Sequence, residues 1–360
     1  MTEGVRHGMH GTTIARAHEG GKAWNAFVRG SAGASVFHLH EWKRVIRATY
    51  GHEAHYLTAE REGAVRGVLP LFLIDSRLFG RSLVSLPYAD YGGIVANDDA
   101  DAAHGLLEAA LALGEELGAE YLLLRQTPAE RIATTAPRAE TYAGKVTMLL
   151  ELSPDPQTML SRLPGERRNR IRKTQRQGLG ARWAGVEAVD GFYGVFAENM
   201  RDLGSPVHSK TLFVEILRAL GDEHAKLLVV EHEGRIIGAA MCLFFGATAM
   251  VPWVSSLRSH FRMYPNVLLY WTALEYACER GCRIFDFGRS SPGSGTYEFK
   301  RQWGARAVEL PWLVVPFAGH DVPSFGQDGL KERLLISCWK RLPLPVTRFL
   351  GPRVRGAIHA

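Results

Sequence analysis

The chain has 360 residues, of which 46% are hydrophobic and 22% are charged, and its formal net charge is +6. This balance is typical of a globular protein with a full core, and no run approaches the roughly 20 apolar residues of a membrane-spanning helix. The four cysteines match neither a zinc nor a disulfide spacing, so we predict no metal site. Residues 1–11 lack the apolar stretch of a secretory signal, and we therefore predict a cytoplasmic protein.

The positive charge is concentrated in two segments. Residues 162–176 and residues 331–360 each hold seven basic residues and one acidic residue, so the rest of the chain is net acidic. Basic segments of this kind typically face phosphates, nucleic acid or anionic lipid. A solvated helix face is an equally good interpretation of either segment.

The predicted elements of the first half are short strands and amphipathic helices. They are a strand at 12–17, helices at 22–29 and 40–50, a hairpin of strands at 54–60 and 64–74, a helix at 98–117 and a strand at 120–124. Asp98 is expected to cap the last of these helices. The joint to the second half is predicted near residues 141–148, just before a strand at 146–152.

The second half repeats this order. A hairpin at 227–231 and 236–245 precedes a helix at 265–280 and a strand at 283–287. Two glycines of the first half, Gly63 and Gly118, have counterparts in Gly234 and Gly281. The repeat predicts an α+β fold of two similar units with mixed, mostly antiparallel sheets. The predicted domains are residues 1–145 and 146–316, followed by a basic tail at 317–360.

Three helices are predicted between the two hairpins, at 155–177, 192–202 and 210–220. Pro164 and Gly165 are expected to kink or split the first of them. Residues 175–180 fit a Gln/Arg-x-x-Gly-x-Gly pattern that holds the pyrophosphate of coenzyme A when it follows a strand and opens a helix. Here the pattern follows a helix, so we interpret it as a helix C-cap.

The strand at 283–287 leads into the segment around which the chain is organised, residues 286–304. Its loop, before residue 297, contains three glycines and one proline, and an aromatic and basic run follows at 297–303. A loop that leaves a central strand is a common position for catalytic residues. A surface turn before a last helix is the structural alternative.

Several segments resemble the Fem family of non-ribosomal peptidyl transferases, which consist of two tandem N-acetyltransferase-like folds. The resemblance lies in the duplication, the basic helix at 167–173 followed by Gly178, the strand end Phe-Asp-Phe-Gly at 285–288, and residues 297–304, which are similar to the Phe-Lys-x-x-Phe-Gly segment of the family. Residues 69–71, 76–87 and 202–208 are similar to a branch of Fem-like proteins associated with exosortase and PEP-CTERM systems. The similarity extends over residues 36–315.

The resemblance implies a GNAT-like acyltransferase with a cleft between its two domains and with Lys300 in that cleft. Acyl transfer to an amine needs a proton acceptor, stabilisation of the oxyanion and an anchor for a charged substrate. Lys300 is the candidate that stabilises an oxyanion or phosphate, and a surface lysine beside core aromatics is the alternative. Asp286 and Glu298 are candidate bases, whereas a structural pairing with Arg289 or another arginine is the alternative for Asp286.

Four residues beside Lys300 are predicted to bind substrate. Phe299 and Trp303 would exclude water and so strengthen the electrostatic field of the ammonium group. Tyr297 and Arg289 complete this set.

A second group of candidates lies elsewhere in the sequence. Tyr88, Asp90 and Tyr91 belong to a polar and aromatic loop that suits a sugar or a peptide, unless it is a tight turn in which the tyrosines pack. His208 is a candidate proton shuttle, or alternatively a simple loop contact.

Arg168 and Arg172 share one face of the basic helix and are predicted to bind an anion. The expected partner is a phosphate-bearing or lipid-linked glycan precursor. We predict no DNA partner.

The predicted activity is that of a Fem-like aminoacyl or acyl transferase, forming an amide on an amine of a cell-envelope or exopolysaccharide precursor. The alternatives are a CoA-dependent N-acyltransferase that acts on a sugar amine and a catalytically silent scaffold that binds a glycan or glycolipid. The chain lacks the helical arm by which some Fem enzymes bind tRNA. No cofactor is therefore assigned, and both acyl-CoA and aminoacyl-tRNA stay open as donors.

The tail is predicted to bring the protein to the inner face of the membrane. A short helix at 330–340 places Leu334, Leu335, Cys338 and Trp339 on one side between basic residues. This composition is typical of an interfacial segment on an anionic bilayer. The alternative is that these apolar residues pack on the first domain.

Overall fold

A computed structural model of the chain describes residues 6–7, 11–17, 19–77, 79–128, 138–322 and 330–358. The chain divides into two compact units. The first unit comprises Met1–Lys145, Glu309–Ser324 and Gly356–Ala360, and the second comprises Val146–Val308 and Phe325–Arg355. Each unit has its own sheet and its own helices.

The first unit is built on an eight-stranded sheet in the order β1-β2-β3-β4-β5-β6-β15-β7. Its strands are β1 (Arg6–His7), β2 (Thr13–Arg16), β3 (Glu53–Arg61), β4 (Ala64–Ser76), β5 (Gly80–Ser85), β6 (Tyr121–Arg125), β7 (Glu140–Tyr142) and β15 (Trp312–Pro316). Its helices are α1 (Lys22–Gly30), α2 (Trp42–Tyr50) and α3 (Ala100–Glu116). Only the pair β5 and β6 is parallel among these described strands, and α3 makes the crossover that a parallel pair requires.

The second unit is built on a seven-stranded sheet in the order β14-β8-β13-β12-β11-β10-β9. Its strands are β8 (Val146–Glu151), β9 (Gly180–Ala184), β10 (Ala225–His232), β11 (Arg235–Phe245), β12 (Thr248–Ser256), β13 (Ile284–Ser290) and β14 (Arg306–Glu309). Its helices are α4 (Pro156–Arg162), α5 (Gly165–Arg176), α6 (Val189–Leu203), α7 (Lys210–His224), α8 (Pro265–Glu279) and α9 (Gly295–Arg301). Strands β12 and β13 are parallel and are connected through α8.

The two units therefore repeat one arrangement, a hairpin followed by a strand, a crossover helix and a parallel strand. This confirms the predicted α+β class with mixed, mostly antiparallel sheets. Strand β12 was absent from the sequence analysis, and it is the strand that leads into α8. The apolar residues of α8 face the core on several sides, among them Leu268, Trp271 and Leu274, as expected for a buried crossover helix.

Several local predictions about helix ends can be compared directly with the structure. The basic helix is split as predicted, with α4 and α5 on either side of residues 163–164. The segment at 175–180 closes α5, where the amide of Gln177 donates to the carbonyl of Lys173 and Gly178 has φ 72. It is thus a helix C-cap. The cap of α3 is Asp99 and not Asp98, because Asp98 has a left-handed backbone while the Asp99 carboxylate accepts from the amide of Ala102.

The boundary near residue 316 differs from the predicted one. Strand β15 lies within the range 146–316 assigned to the second domain, but it pairs with β6 and β7 of the first unit. The reason is that β15 pairs in antiparallel orientation with the buried strand β6, from Trp312 opposite Arg125 to Pro316 opposite Tyr121. Because β15 is distant in sequence from β6 and β7, no local sequence pattern indicates this pairing.

The tail forms two helices, α10 (Leu330–Arg341) and α11 (Leu344–Ala357), where one was predicted. Pro345 does not prevent α11, because proline is tolerated in the first turn of a helix. Side chains of residues 330–333, including the predicted basic flank Lys331 and Arg333, lie outside the described residues. Within the described part of the chain, none of the helices has the length and apolar character to cross a bilayer.

Candidate active site

A β-bulge interrupts β13 at the start of the segment that the sequence analysis singled out. Asp286 pairs with Leu149 of β8, and pairing resumes with Arg289 opposite Thr147, so two residues of β13 face one residue of β8. Gly288 lies in the bulge with φ 75, a backbone conformation that favours glycine. Bulges are frequent beside active sites because they redirect a strand end.

Asp286 is held inside this bulge. Its side chain is buried, and its Oδ1 accepts from the hydroxyl of Thr147 at 2.6 Å and from the amide of Gly288 at 2.7 Å. Both hydrogen bonds favour the carboxylate form of the residue. Pairing with Arg289 had been the alternative to a base, and Thr147 is a partner that the sequence analysis did not name.

Lys300 lies on α9, which begins where the side chain of Ser294 caps the amide of Tyr297. The lysine is buried, with 7% of its surface exposed. Its Nζ donates to the carbonyl oxygens of Gly288 at 2.9 Å and Arg289 at 3.0 Å. Lys300 is therefore not a surface lysine, and its ammonium group is anchored directly on the bulge of β13.

Aromatic rings surround the base of α9. Trp303 is buried, and its ring lies 6.3 Å from the rings of both Phe287 and Phe299. Phe299 is half-buried and also contacts Tyr270 at 5.4 Å. Tyr297 is half-buried against the same core. These aromatic residues therefore pack around α9, the helix that carries Lys300.

Arg167, on α5, also contacts α9, although it was predicted only as one of the anion-binding residues of the basic helix. Its guanidinium lies 5.0 Å from the ring centroid of Phe299 and 4.8 Å from that of Trp303, and its Nη2 donates to Gln302. Burial lowers the pKa of Arg167 to about 10, so the group stays charged at neutral pH. Its Nη1 is buried and has no hydrogen-bond partner among the described residues.

A sequence signal for Arg167 exists but is weak. Ile171 and Thr174 are the other buried residues of α5, and they follow Arg167 at i+4 and i+7 on one helix face. The neighbouring basic residues conceal this pattern. Of the predicted pair, Arg172 is exposed whereas Arg168 is half-buried. Arg168 donates to the carbonyl of Ser161 at 2.8 Å.

His208 lies in the interior of the second unit. Its ring packs near Phe196, Phe213 and Trp253, and its Nε2 accepts from Arg355 of α11 at 3.2 Å. Burial, reinforced by the charges of Arg355 and Arg289, holds the pKa of His208 well below its ordinary value. The imidazole is therefore neutral at neutral pH, and its environment is that of a packing residue rather than of an exposed loop.

The Tyr88–Tyr91 loop belongs to the first unit. Tyr88 is buried with φ 66, lies 2.7 Å from His52 through its hydroxyl, and donates to the carbonyl of Gly356. Tyr91 is buried near Phe37, and Asp90 is half-buried. Both tyrosines thus pack into their own unit, which was the structural alternative for this loop.

Strand β6 ends in two buried polar residues that the sequence analysis missed. Arg125 donates through Nη1 to the carbonyl of Ala89 at 2.7 Å, and its guanidinium lies 4.9 Å from the ring of Trp312. It thereby fixes the loop that carries Tyr88. The carboxamide of Gln126 is buried, and neither its Nε2 nor its Oε1 has a hydrogen-bond partner among the described residues. Neither residue belongs to a recognisable motif.

Comparison with known proteins bears on this geometry in two ways. Residues 165–301 match the family model of the GNAT acetyltransferase domain, a range that runs from the start of α5 to the end of α9. The match includes Arg167, Asp286 and Lys300, and it covers less than half of the chain. No curated protein matches the sequence.

Solved structures share the fold over most of the chain. FemX is 15% identical with a TM-score of 0.68, and the similarity covers 84% of this chain and 97% of FemX. The C-terminal domain of a putative lysylphosphatidylglycerol synthetase from Agrobacterium fabrum is 13% identical with a TM-score of 0.55, covering 88% of this chain and 94% of that domain. A tandem GNAT protein from the clavulanic acid biosynthesis pathway is 12% identical with a TM-score of 0.52, covering 86% and 100%.

At these identities the structural similarities concern the fold. They confirm the predicted tandem GNAT-like architecture of a Fem-like type. Together with the domain match, they support an acyltransferase, the enzyme class predicted from the sequence.

Proposed function

We propose that this protein forms an amide by acyl or aminoacyl transfer to an amine of a cell-envelope or exopolysaccharide precursor, with its reacting groups beside Lys300. The observation that carries the proposal is the buried ammonium group of Lys300, which two carbonyl oxygens hold on the bulge of β13. A fixed positive charge in apolar surroundings interacts with a developing negative charge more strongly than one in water.

In the proposed reaction the acceptor amine attacks the carbonyl carbon of the donor. A C–N bond forms, and the carbonyl oxygen becomes an oxyanion that Lys300 stabilises. The C–O bond of an aminoacyl ester or the C–S bond of a thioester then breaks, and the nitrogen loses a proton. Phe299, Tyr297 and Trp303 exclude water, and Arg289 contributes a charge beside the lysine.

Asp286 is proposed as a positioning residue. Its Oδ1 accepts two hydrogen bonds, from Thr147 and from the amide of Gly288. The same bonds fix the peptide onto which Lys300 donates. Proton removal from the amine is then assigned to the leaving group or to solvent.

The acceptor is proposed to carry phosphate or a lipid, as the sequence analysis expected. Arg172 is exposed and Arg168 is half-buried on one basic helix face. Arg170 and Lys173 lie 5.2 Å and 5.1 Å from the ring of Tyr264. A structural relative is described as a putative lysylphosphatidylglycerol synthetase, a name that denotes a lysyl group on a lipid. This supports an aminoacyl donor and a lipid-linked acceptor.

A CoA-dependent N-acyltransferase acting on a sugar amine is the second candidate. The match of residues 165–301 to a GNAT acetyltransferase domain favours it. Both candidates use the same lysine and differ only in the donor.

The test combines purified protein with acetyl-CoA or charged tRNA as donor and with nucleotide-linked or lipid-linked amino sugars as acceptor. Mass spectrometry reports the added acyl group. Lys300→Gln is expected to lower turnover by about 100-fold or more. Lys210→Gln, which removes an exposed lysine paired with Asp190, serves as the matched control. Wild-type turnover by Lys300→Gln would contradict the proposal, and glycan binding without turnover would favour the scaffold.

A further inference from the structure

The exposed apolar side chains of this protein are concentrated in its last two helices. Nine large hydrophobic residues are exposed among those that the structure describes, and five of them lie in α10 and α11. These five are Leu334, Leu335, Val346, Phe349 and Leu350. Leu335 and Phe349 are the most exposed of all nine, at 70% and 61%. An apolar cluster of this size on one short segment typically marks an interaction surface.

The sides of α10 and α11 that do not carry these exposed residues pack against the second unit. Ile336 and Lys340 of α10 lie against Gly204 at the end of α6. Thr347 and Gly351 are the buried residues of α11, and Gly351 lies against Val207. Both helices are therefore already packed against the second unit through their other sides. The exposed apolar residues do not take part in that packing.

Helical geometry separates the two faces. At 100° per residue, Leu334 lies about 200° around α10 from Ile336, and Phe349 lies about 200° around α11 from Thr347. Val346 and Leu350 are four residues apart and share one side of α11. We call the exposed set of five residues, together with Arg341, Arg348 and Arg353, the tail surface.

The charge on the tail surface has one sign. Residues 334–360 contain no aspartate or glutamate, whereas they contain five basic residues. Arg341, Arg348 and Arg353 are exposed, and Arg353 lies 3.9 Å from the ring of Phe349. Long basic side chains beside exposed leucine and phenylalanine suit an interface that is apolar in its interior and negatively charged at its rim.

We propose that the tail surface docks on an anionic lipid bilayer, with Leu334, Leu335 and Phe349 inserted among the acyl chains and the arginines at the headgroups. Apolar insertion and electrostatic attraction both contribute, and the second contribution weakens with salt. This inference rests on exposure and charge and does not depend on the proposed reaction. A soluble acidic protein would account for the arginines. It would not account for the five exposed apolar residues beside them.

The test is flotation of the full-length protein with vesicles of phosphatidylcholine alone or with a third of phosphatidylglycerol, at low and high salt. Wild-type protein is expected to float with the anionic vesicles at low salt and to be released by high salt. The combined variant Leu334→Ser, Leu335→Ser and Phe349→Ser is expected to lose about tenfold or more in vesicle binding. Since these positions are exposed, its thermal unfolding should match that of wild type.

The matched control is the pair Phe79→Ser and Val186→Ser, which removes exposed apolar residues that lie outside α10 and α11. It should float like wild type. A second variant, Arg341→Gln, Arg348→Gln and Arg353→Gln, should lose binding to anionic vesicles chiefly at low salt. Undiminished flotation of the serine variant would overturn the proposal, as would binding of wild type that is equal on neutral and anionic vesicles and insensitive to salt.

Discussion

Lys300 and Asp286 are connected through a single residue. Lys300 Nζ donates to the carbonyl oxygen of Gly288 at 2.9 Å, and the amide of Gly288 donates to Asp286 Oδ1 at 2.7 Å. The proposed catalytic charge and the buried carboxylate are therefore both fixed by the bulge of β13. Substitutions of Gly288 and Thr147 test the stability of this bulge.

Gly288→Ala should destabilise the second unit. Its φ of 75 is costly for a residue with a Cβ, by roughly 1–2 kcal/mol. We expect a lower free energy of unfolding in urea, together with reduced acyl transfer, because the bulge would relax and move both peptides that hold Lys300. Gly295→Ala is the control, since no atom lies within 4 Å of an added Cβ and its φ is not positive. Equal stability of the two variants would contradict this account of the bulge.

Thr147→Val should cost about 1–3 kcal/mol of unfolding free energy, because it removes a hydrogen-bond donor from a buried carboxylate while conserving volume. Thr147→Ser keeps the hydroxyl and should lose much less. Urea denaturation at neutral pH measures both. If valine and serine had the same effect, packing of the methyl group rather than the hydrogen bond would be responsible.

Arg167→Met should loosen α9. The substitution removes the charge from a guanidinium that lies about 5 Å from two aromatic rings, an interaction typically worth about 1–2 kcal/mol when desolvated. Hydrogen exchange of the amides in α9 should become faster, and the unfolding free energy should fall. Arg172→Met, at an exposed position of the same helix, should change it by less than about 0.5 kcal/mol. Unchanged exchange in α9 would show that Arg167 does not hold this helix.

The stability of the first unit should fall as the pH drops below about 6.5. Burial lowers the pKa of His38 to about 4, whereas an unfolded histidine titrates near 6.5. Between these values the unfolded chain binds a proton that the folded chain does not, so acid favours unfolding.

His38→Gln removes this titration. The decrease in unfolding free energy between pH 7.5 and 5.5 should be smaller in the variant by about 1 kcal/mol. His104→Gln, at an exposed position, should leave the decrease as in wild type. An identical pH dependence of His38→Gln and wild type would mean that His38 is already protonated in the folded protein.

Much of the fold could be predicted because its signals are local. Hairpins at β3–β4 and β10–β11, the split of the basic helix and the crossover helices follow from hydrophobic periodicity, glycine turns and proline, which act within a few residues. The repeat of these signals predicted two α+β units. Strand β12 was missed because a buried strand between two others has no alternating polar face by which to recognise it.

The same distinction between local and tertiary information applies to the candidate site. The sequence predicted Lys300, its aromatic neighbours and Asp286 as site residues, because one segment carries them and because that segment resembles the Fem family. Only the tertiary structure decided that Thr147, 139 residues before Asp286, donates to its carboxylate, that Arg167 is buried against α9 while Arg172 is exposed, and that His208 packs as a neutral residue. The partners and burial of a polar side chain depend on which distant elements the fold brings together, and the local pattern of residues contains no information on that.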